Sequence, residues 1–197
     1  MHEYSLTNSK IRINIIVLIT ILSVIVSLWL NPIIQNFILQ FELTPLINLI
    51  LPTISPFFIF GILFFLFDKY LWKWNPIKKF IKIPNLNGTW IGKGESNYER
   101  TKFNVKLIIE QTFCNINISG EFGKSNSNSL IANIDYSDEL KNKITYSYRN
   151  DPKSIRSKID SHVGTVILNL NQNKMKGSYF TARKKQTKGD ITVEKYG

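Results

Sequence analysis

The stretch PNLNGTWIGKGES, Pro84 to Ser96, marks the point at which the sequence changes character. A strand that opens with Gly88, Thr89 and Trp90 is typical of the first strand of small ligand-holding β-barrels. Residues before Pro84 are dominated by Ile, Leu, Phe and Val, whereas later residues alternate with Lys, Asn, Ser and Thr. We therefore expect a membrane-associated part, residues 1–82, followed by a separate β-rich domain, residues 83–197.

The sequence after Pro84 alternates apolar and polar residues, which is typical of half-buried strands. In KFNVKLIIEQTF one face collects the following residues: Phe103, Val105, Leu107, Ile109 and Gln111. In NSLIANIDY the alternation aligns Leu130, Ala132, Ile134 and Tyr136. Eight such segments, GTWIGKGES included, are separated by short turns. We therefore predict a small antiparallel eight-stranded β-barrel, whose closure removes exposed strand edges. A β-sandwich is the alternative architecture.

The N-terminal part contains two apolar segments that fit membrane spans. The first, residues 11–30, has no charge after Arg12 and matches the roughly 20 residues that cross a bilayer core of about 30 Å. The second, residues 46–67, is followed by the aromatic residues and lysines typical of a membrane interface. Its prolines, Pro52 and Pro56, are tolerated in membrane helices when the freed carbonyls find neighbouring partners.

The basic residues predict the orientation of these spans. Lys10 and Arg12 precede the first span, and Lys73, Lys78, Lys79 and Lys82 follow the second. The loop between the spans, NPIIQNFILQFELT, carries no Lys or Arg. Positive charge on both outer flanks predicts that both termini, and therefore the barrel, lie in the cytoplasm.

The barrel domain is basic. The whole chain has a formal net charge of +11, and residues 83–197 contain 18 Lys and Arg against 11 Asp and Glu. Such a surface favours an anionic partner: nucleic acid, a phosphate-bearing small molecule or anionic lipid head groups. A basic surface that serves only solubility is the alternative. Cys114 is the single cysteine, which excludes an intrachain disulfide and is consistent with a reducing compartment.

Aromatic and guanidinium side chains are concentrated in the later strands and where the first strand leaves the barrel. A ring stacks on a nucleobase and an arginine forks onto phosphate oxygens, so the combination favours a nucleotide ligand. The candidate ligand-binding residues are Tyr98, Arg100, Tyr146, Tyr148, Arg149, Tyr179, Thr181 and Arg183. The alternative is half-buried barrel tyrosines and surface arginines. Trp90 is assigned a structural role as a plug across the barrel floor, with ligand stacking as the alternative.

Catalytic motifs are missing from the sequence. His2 and His162 have no spaced His, Cys or Asp partners for a metal. The sequence has no G-x-S-x-G elbow, no Walker loop and no H-E-x-x-H. We therefore expect a binding module rather than an enzyme, with no metal and no cofactor.

Four features together resemble one family: two N-terminal spans, a cytoplasmic minimal barrel, LNGTW at its entrance and MKGSYFTARKKQTKGDITVEKY at its end. The family is CD-NTase-associated protein 15, the two-transmembrane, β-strand-rich effector of cyclic-oligonucleotide antiphage signalling systems (CBASS). The shared motifs are G-x-W early, then G-x-Y-x-x-x-R followed by G-x-I.

The resemblance implies a specific function. The barrel would bind a cyclic dinucleotide that a partner nucleotidyltransferase (CD-NTase) makes on phage infection. Binding would drive oligomerisation in the bacterial inner membrane, then membrane disruption and death of the infected cell. The implied partners are the cyclic dinucleotide, the lipid bilayer, further copies of the chain and the CD-NTase, with no nucleic-acid polymer.

Assembly of copies requires contacts between their membrane helices, because two helices cannot enclose a pore. The small polar residues Thr20, Ser23 and Ser27 are the candidates for this contact. Two other functions stay open on the residues alone: a membrane-tethered lipid or fatty-acid carrier, and a non-catalytic membrane scaffold with a filled barrel.

Overall fold

The computed structural model describes most of the chain, with eight ranges of residues: 1–8, 10–40, 55–98, 100–122, 125–136, 142–153, 160–183 and 186–196. It divides into two compact units. One unit is Ser9–Ile81, and the other combines Lys82–Gly197 with Met1–Asn8. The grouping of residues 1–8 with the β-rich unit differs from the division at residue 82 expected from the sequence.

The first unit is helical. Helix α1 spans Lys10–Leu39, α2 spans Pro56–Lys69, a 3₁₀ turn spans Leu71–Lys73 and α3 spans Asn75–Ile81. In the described residues, α1 is the single helix long and apolar enough to cross a membrane. The predicted second span, residues 46–67, is described only from residue 55 onward, where it forms α2. Two spans therefore stay a prediction.

Helix α1 packs against α2, and the buried residues of α1 form a stripe spaced four apart along one face. Ile19, Ser23 and Ser27 are buried on this stripe. The Ser23 hydroxyl donates to the Thr20 carbonyl (2.7 Å), and the Ser27 hydroxyl accepts from the Asn31 amide (3.2 Å). The Thr20 hydroxyl likewise donates within the helix, to the Ile16 carbonyl (2.9 Å), but Thr20 is exposed whereas Ser23 and Ser27 are buried.

The second unit is a β-barrel. The described residues contain nine strands: β1 His2–Leu6, β2 Gly88–Ser96, β3 Lys102–Gln111, β4 Asn115–Phe122, β5 Ser125–Asp135, β6 Lys143–Pro152, β7 His162–Asn171, β8 Lys174–Ala182 and β9 Lys188–Tyr196. From β2 to β9 each strand pairs antiparallel with the next, and β9 returns to pair with β2. The sheet therefore closes, as a barrel rather than a sandwich.

Strand β1 was not predicted from the sequence. Strands β4 and β5 pair directly only between the Ser119–Asn128 and Phe122–Ser125 pairs. Beyond that point β1 lies between them, antiparallel to β4 and parallel to β5. The prediction of eight strands, all antiparallel, is wrong in this respect. Five residues at the N-terminus carry too little pattern to reveal partners more than a hundred positions away.

Strand β1 is held by buried side chains. Tyr4 and Leu6 point into the barrel and are buried. The Tyr4 hydroxyl donates to the Phe113 carbonyl (2.9 Å) and accepts from Gln111 Nε2 (3.3 Å). At the start of the strand, His2 Nε2 is 2.8 Å from the Ser129 hydroxyl. The strand is therefore an integral part of the barrel wall.

A β-bulge in β5 divides the barrel interior into two ends. The register with β6 shifts between Ser129 and Ile131, so the inward-facing set changes parity there. Ser125, Ser127 and Ser129 are buried before the bulge, and Ala132, Ile134 and Tyr136 after it. The prediction that Leu130 shares the inner face is wrong, since the bulge turns it outward and leaves it 48% exposed. On β5 the inner face is thus polar before the bulge and apolar after it, and we name the two ends of the barrel the polar end and the apolar end accordingly.

The first prediction concerns β1. Tyr4→Ala should lower the free energy of unfolding by about 3 kcal/mol or more, because it removes a buried ring. Tyr4→Phe should cost about 1 kcal/mol, the value of its hydrogen bond. Chemical denaturation of the detergent-solubilised full chain, followed by circular dichroism, measures both. Glu3→Ala is the control, since Glu3 is exposed on the same strand. Equal stabilities of Tyr4→Ala and Glu3→Ala would contradict the assignment of β1 to the barrel wall.

Candidate functional site

A cavity of about 270 Å³ opens at the polar end of the barrel. It lies where β2, β6 and β8 end and where β3, β5 and β7 begin. Its aromatic lining residues are Tyr98, Phe103, Phe122, Tyr148 and Tyr179. Its polar lining residues are Ser96, Thr101, Ser125, Asn150, His162, Thr181, Arg183 and Thr187. Apolar walls with a few convergent polar groups are typical of small-ligand sites.

The aromatic wall is built from edge-to-face contacts. The Phe103 ring packs against Phe122 and Tyr179, with centroids 6.2 and 6.0 Å apart. The Tyr148 ring contacts the His162 ring edge-on at 6.4 Å. Gly164 lies opposite Tyr148 on β7, and a Cβ at this position would overlap the tyrosine hydroxyl. Glycine therefore leaves the space that the Tyr148 ring occupies.

Polar contacts order the cavity mouth. Arg183 Nη2 lies 2.8 Å from His162 Nε2, and His162 Nδ1 lies 2.9 Å from the Asp160 carbonyl. Thr181 Oγ1 lies 2.7 Å from Thr187 Oγ1 and accepts from the Thr187 backbone N–H (3.0 Å). These bonds tie the segment after β8 to the start of β9, so Thr181 fixes the part of the chain that carries Arg183.

Burial raises the pKa of two tyrosines in the barrel interior, Tyr148 and Tyr146. Burial, followed by the neighbouring Tyr179, raises the pKa of Tyr148 to about 12, although Arg183 acts in the opposite direction. The pKa of Tyr146 is raised further, chiefly by burial. Burial lowers the pKa of His162; the Asp160 carbonyl opposes this shift, and the Arg183 cation adds to it. At neutral pH, Arg183 is therefore the positively charged group among the described residues that line the cavity.

The cavity brings together five of the eight predicted ligand-binding residues: Tyr98, Tyr148, Tyr179, Thr181 and Arg183. Tyr146 is buried deeper in the barrel, beside Tyr148 (6.3 Å between centroids). Arg149 points outward, because it alternates with the inward Tyr148, and its Nε donates to Asp151 (3.2 Å). Arg100 lies in the turn after β2, beside Phe180 on the outer side of the wall.

Sequence reasoning missed several lining residues. Asn150 shares the inward parity of Tyr148, so alternation signalled it, whereas Ser125 faces inward only because the β5 bulge changes the parity of the inner face. Phe103 was assigned only to the core. His162 was set aside because it lacks metal-binding partners, yet it faces the cavity and contacts Arg183.

Trp90 lies at the apolar end of the barrel. It is 1% exposed, and its indole N–H donates to the Leu86 carbonyl (2.9 Å). Lys195 Nζ lies 5.7 Å from the ring centroid. The residue does not line the cavity, and its role as a plug stays a prediction.

Among the described residues, these features define a β-barrel protein with an apolar N-terminal helix and an aromatic-lined cavity at whose mouth an arginine lies. A family model described as the Cap15 cyclic dinucleotide receptor domain matches residues 81–195, and one described as the Cap15 TM helices matches residues 13–73. The chain therefore belongs to the Cap15 family, which confirms the resemblance seen in the sequence.

Two relatives carry the name CD-NTase-associated protein 15. The protein from Yersinia aleksiciae is 32% identical over 130 residues, which cover 64% of this chain and 62% of that protein. The protein from Escherichia albertii is 31% identical over 206 residues, which cover 99% of both chains. The match thus spans under two thirds of the Yersinia protein and nearly all of the Escherichia protein. Strand β1 lies outside both ranges matched by the family models.

The second prediction tests the role of Trp90. Trp90→Phe should lower the free energy of unfolding by about 2 kcal/mol, because it opens space in the core and leaves the Leu86 carbonyl without its donor. Denaturation followed by circular dichroism measures the loss. Tyr196→Phe is the control, since Tyr196 is exposed at the same end of the barrel. An unchanged unfolding midpoint for Trp90→Phe would contradict a plug.

Proposed function

We propose that this chain is the effector of a CBASS antiphage defence system and that its barrel cavity binds a cyclic dinucleotide made by a partner CD-NTase. The observation that carries the proposal is the placement of Arg183 at the mouth of an aromatic cavity within the matched receptor domain. The names of the two relatives, which associate them with a CD-NTase, support the same function.

The cavity chemistry suits one nucleotide of such a ligand. A base stacks on the Tyr148 and Tyr179 rings, and base–aromatic stacking is worth about 1–3 kcal/mol per base. The Arg183 guanidinium forks onto a phosphate at the mouth. Asn150 and Ser125 present hydrogen-bonding groups to the base edge. The polar end of β5 and the aromatic wall are thus complementary to the two chemical parts of a nucleotide.

The cavity size suggests how binding leads to assembly. Its volume of about 270 Å³ is near the lower limit of small-ligand pockets, which is about 300 Å³. A cyclic dinucleotide contains two nucleotides, so the second remains at the mouth beside the exposed Tyr98. There it is accessible to another copy of the chain. A ligand that binds the assembled form more tightly shifts the population toward that form.

The membrane region acts downstream of this assembly. The TM helices match and the apolar α1 support a membrane location, and the lysines that flank the predicted spans support a multi-pass topology with the barrel in the cytoplasm. Thr20, exposed on α1, is the small polar residue available for a contact between copies. Gathering of the helices then disrupts the inner membrane and kills the infected cell.

The cavity lining favours this function over the two alternatives. A fatty-acid carrier calls for an apolar interior with one buried arginine, whereas Arg183 is exposed and the wall includes Ser125, Asn150 and His162. A scaffold whose barrel is filled by side chains would have no cavity, whereas this barrel has one of about 270 Å³. A non-catalytic receptor is therefore the function that fits the described residues best.

The third prediction tests the phosphate contact. Arg183→Gln in the full chain should weaken cyclic dinucleotide binding by about tenfold or more, because it removes a charge-assisted hydrogen bond. Isothermal titration calorimetry of the detergent-solubilised chain measures the affinity, with cyclic di-AMP, cyclic di-GMP, cyclic GMP-AMP and cyclic di-UMP as probes. Arg149→Gln removes the same charge from the outer face and should leave the affinity unchanged. Equal losses for both variants would indicate a general effect of charge instead of a site.

The fourth prediction tests the membrane step. The full chain, reconstituted in phospholipid vesicles that enclose a self-quenching dye, should release the dye when the binding cyclic dinucleotide is added. The Arg183→Gln variant should require correspondingly more ligand. Release that is equal with and without ligand would contradict control by the barrel. Ligand binding without dye release would contradict the membrane step and leave only the receptor function.

A further inference from the structure

Two hydrogen bonds fix the protonation state of His162. Arg183 can only donate, so the 2.8 Å contact from its Nη2 requires that His162 Nε2 accepts. The ring proton is then on Nδ1, which donates to the Asp160 carbonyl at 2.9 Å. Both partners are therefore satisfied only by the neutral imidazole in this tautomer. A proton added to Nε2 would have to displace the bond from Arg183.

The same contact orients the Arg183 cation. Arg183 follows the last residue of β8 and its side chain is exposed. Within the described part of the chain, no carboxylate forms an ion pair with it, and His162 is its hydrogen-bond partner. The imidazole thus holds a flexible side chain over the cavity mouth and leaves its charge uncompensated. A side chain that is already oriented loses less conformational entropy when an anion binds.

The groups around His162 make its protonation sensitive to an anion. In the described residues the charged and titratable groups that face it are Arg183 after β8, and Asp151 and Tyr148 on β6. Tyr148 stays neutral because its pKa is raised to about 12. Burial and Arg183 lower the pKa of His162, whereas the Asp160 carbonyl and Asp151 raise it. An anion bound by Arg183 compensates the guanidinium charge, which is one of the causes that lower the pKa of His162. The negative charge of the anion then lies a few ångströms from Nε2 of His162.

We propose that His162 is a positioning residue for Arg183 and that an anionic ligand bound by Arg183 recruits a proton to His162. The inference rests on the proposed function, because it takes the phosphate of a cyclic dinucleotide as the anion. In the free protein neutral His162 orients the guanidinium. In the complex the imidazolium becomes a second hydrogen-bond donor to the phosphate, after Arg183 has turned onto the ligand.

The sign of the pH dependence follows from linkage. The pKa of His162 is higher in the complex than in the free protein, so binding takes up protons between these two values. Ligand affinity therefore increases as the pH falls through that interval and levels off below it. The total increase in ligand affinity is about tenfold for each unit by which the two pKa values of His162 differ. A phosphodiester does not titrate near neutral pH, so the ligand phosphates do not contribute.

Calorimetry of the full chain in detergent tests the proposal. The four cyclic dinucleotides named above are titrated at pH 6, 7 and 8 in two buffers that differ in ionisation enthalpy, which reports the protons taken up per ligand. We expect uptake of a fraction of one proton near pH 7 and about three- to tenfold tighter binding at pH 6 than at pH 8. His162→Gln, whose amide oxygen can accept from Arg183 but cannot take up a proton, should bind with an affinity independent of pH.

His2→Gln is the matched control, because His2 is the chain's other histidine and lies on β1. This variant should keep the proton uptake and the pH profile. Binding to the native chain without proton uptake, or uptake that persists in His162→Gln, would overturn the inference while leaving the proposed function intact. Failure of all four dinucleotides to bind the native chain would overturn both.

Discussion

The two-residue repeat of the strands decides which side chains reach the barrel cavity, and the rest of the barrel depends on it. Tyr148 and Asn150 reach the cavity because they share one parity on β6, whereas Arg149 between them contacts Asp151 on the outside. The repeat is interrupted at the β5 bulge, where the inner face changes from serines to apolar residues. This one-residue insertion places apolar side chains of β5 in the packed core and serines of the same strand at the end that holds the cavity.

The barrel interior therefore changes in polarity along its axis. Trp90 is buried at the apolar end, where its indole N–H donates to the Leu86 carbonyl. Buried tyrosines and half-buried phenylalanines follow, and an exposed arginine lies at the open end. A ligand with a flat base and an anionic phosphate matches this order of surfaces. The match links the family assignment, which rests on sequence alone, to particular side chains in the proposed site.

Local pattern predicted the larger part of the fold, and long-range geometry accounts for the rest. Strands β2 to β9 each carry enough alternation to be recognised. Strand β1 is too short to be recognised by alternation, and its partners are far away in the sequence. Leu130 was assigned to the wrong face because the alternation looks regular on each side of the bulge. In the site, the chemistry of aromatic and basic side chains was enough to predict that Tyr148, Tyr179 and Arg183 lie together. His162 was overlooked because its place in the site depends on its contact with Arg183, which the sequence does not show. Which of these residues bind ligand stays a prediction.

The insertion of β1 has a practical consequence for isolating the receptor. A fragment that starts at residue 81, where the receptor-domain match begins, lacks the strand that separates β4 from β5. Two backbone edges and the space left by Tyr4 then face the solvent, and unpaired edges recruit strands from other molecules. Supplying residues 1–8 as a separate peptide, or joining them through a linker to Tyr196 in a circularly permuted chain, restores the missing wall without the helices.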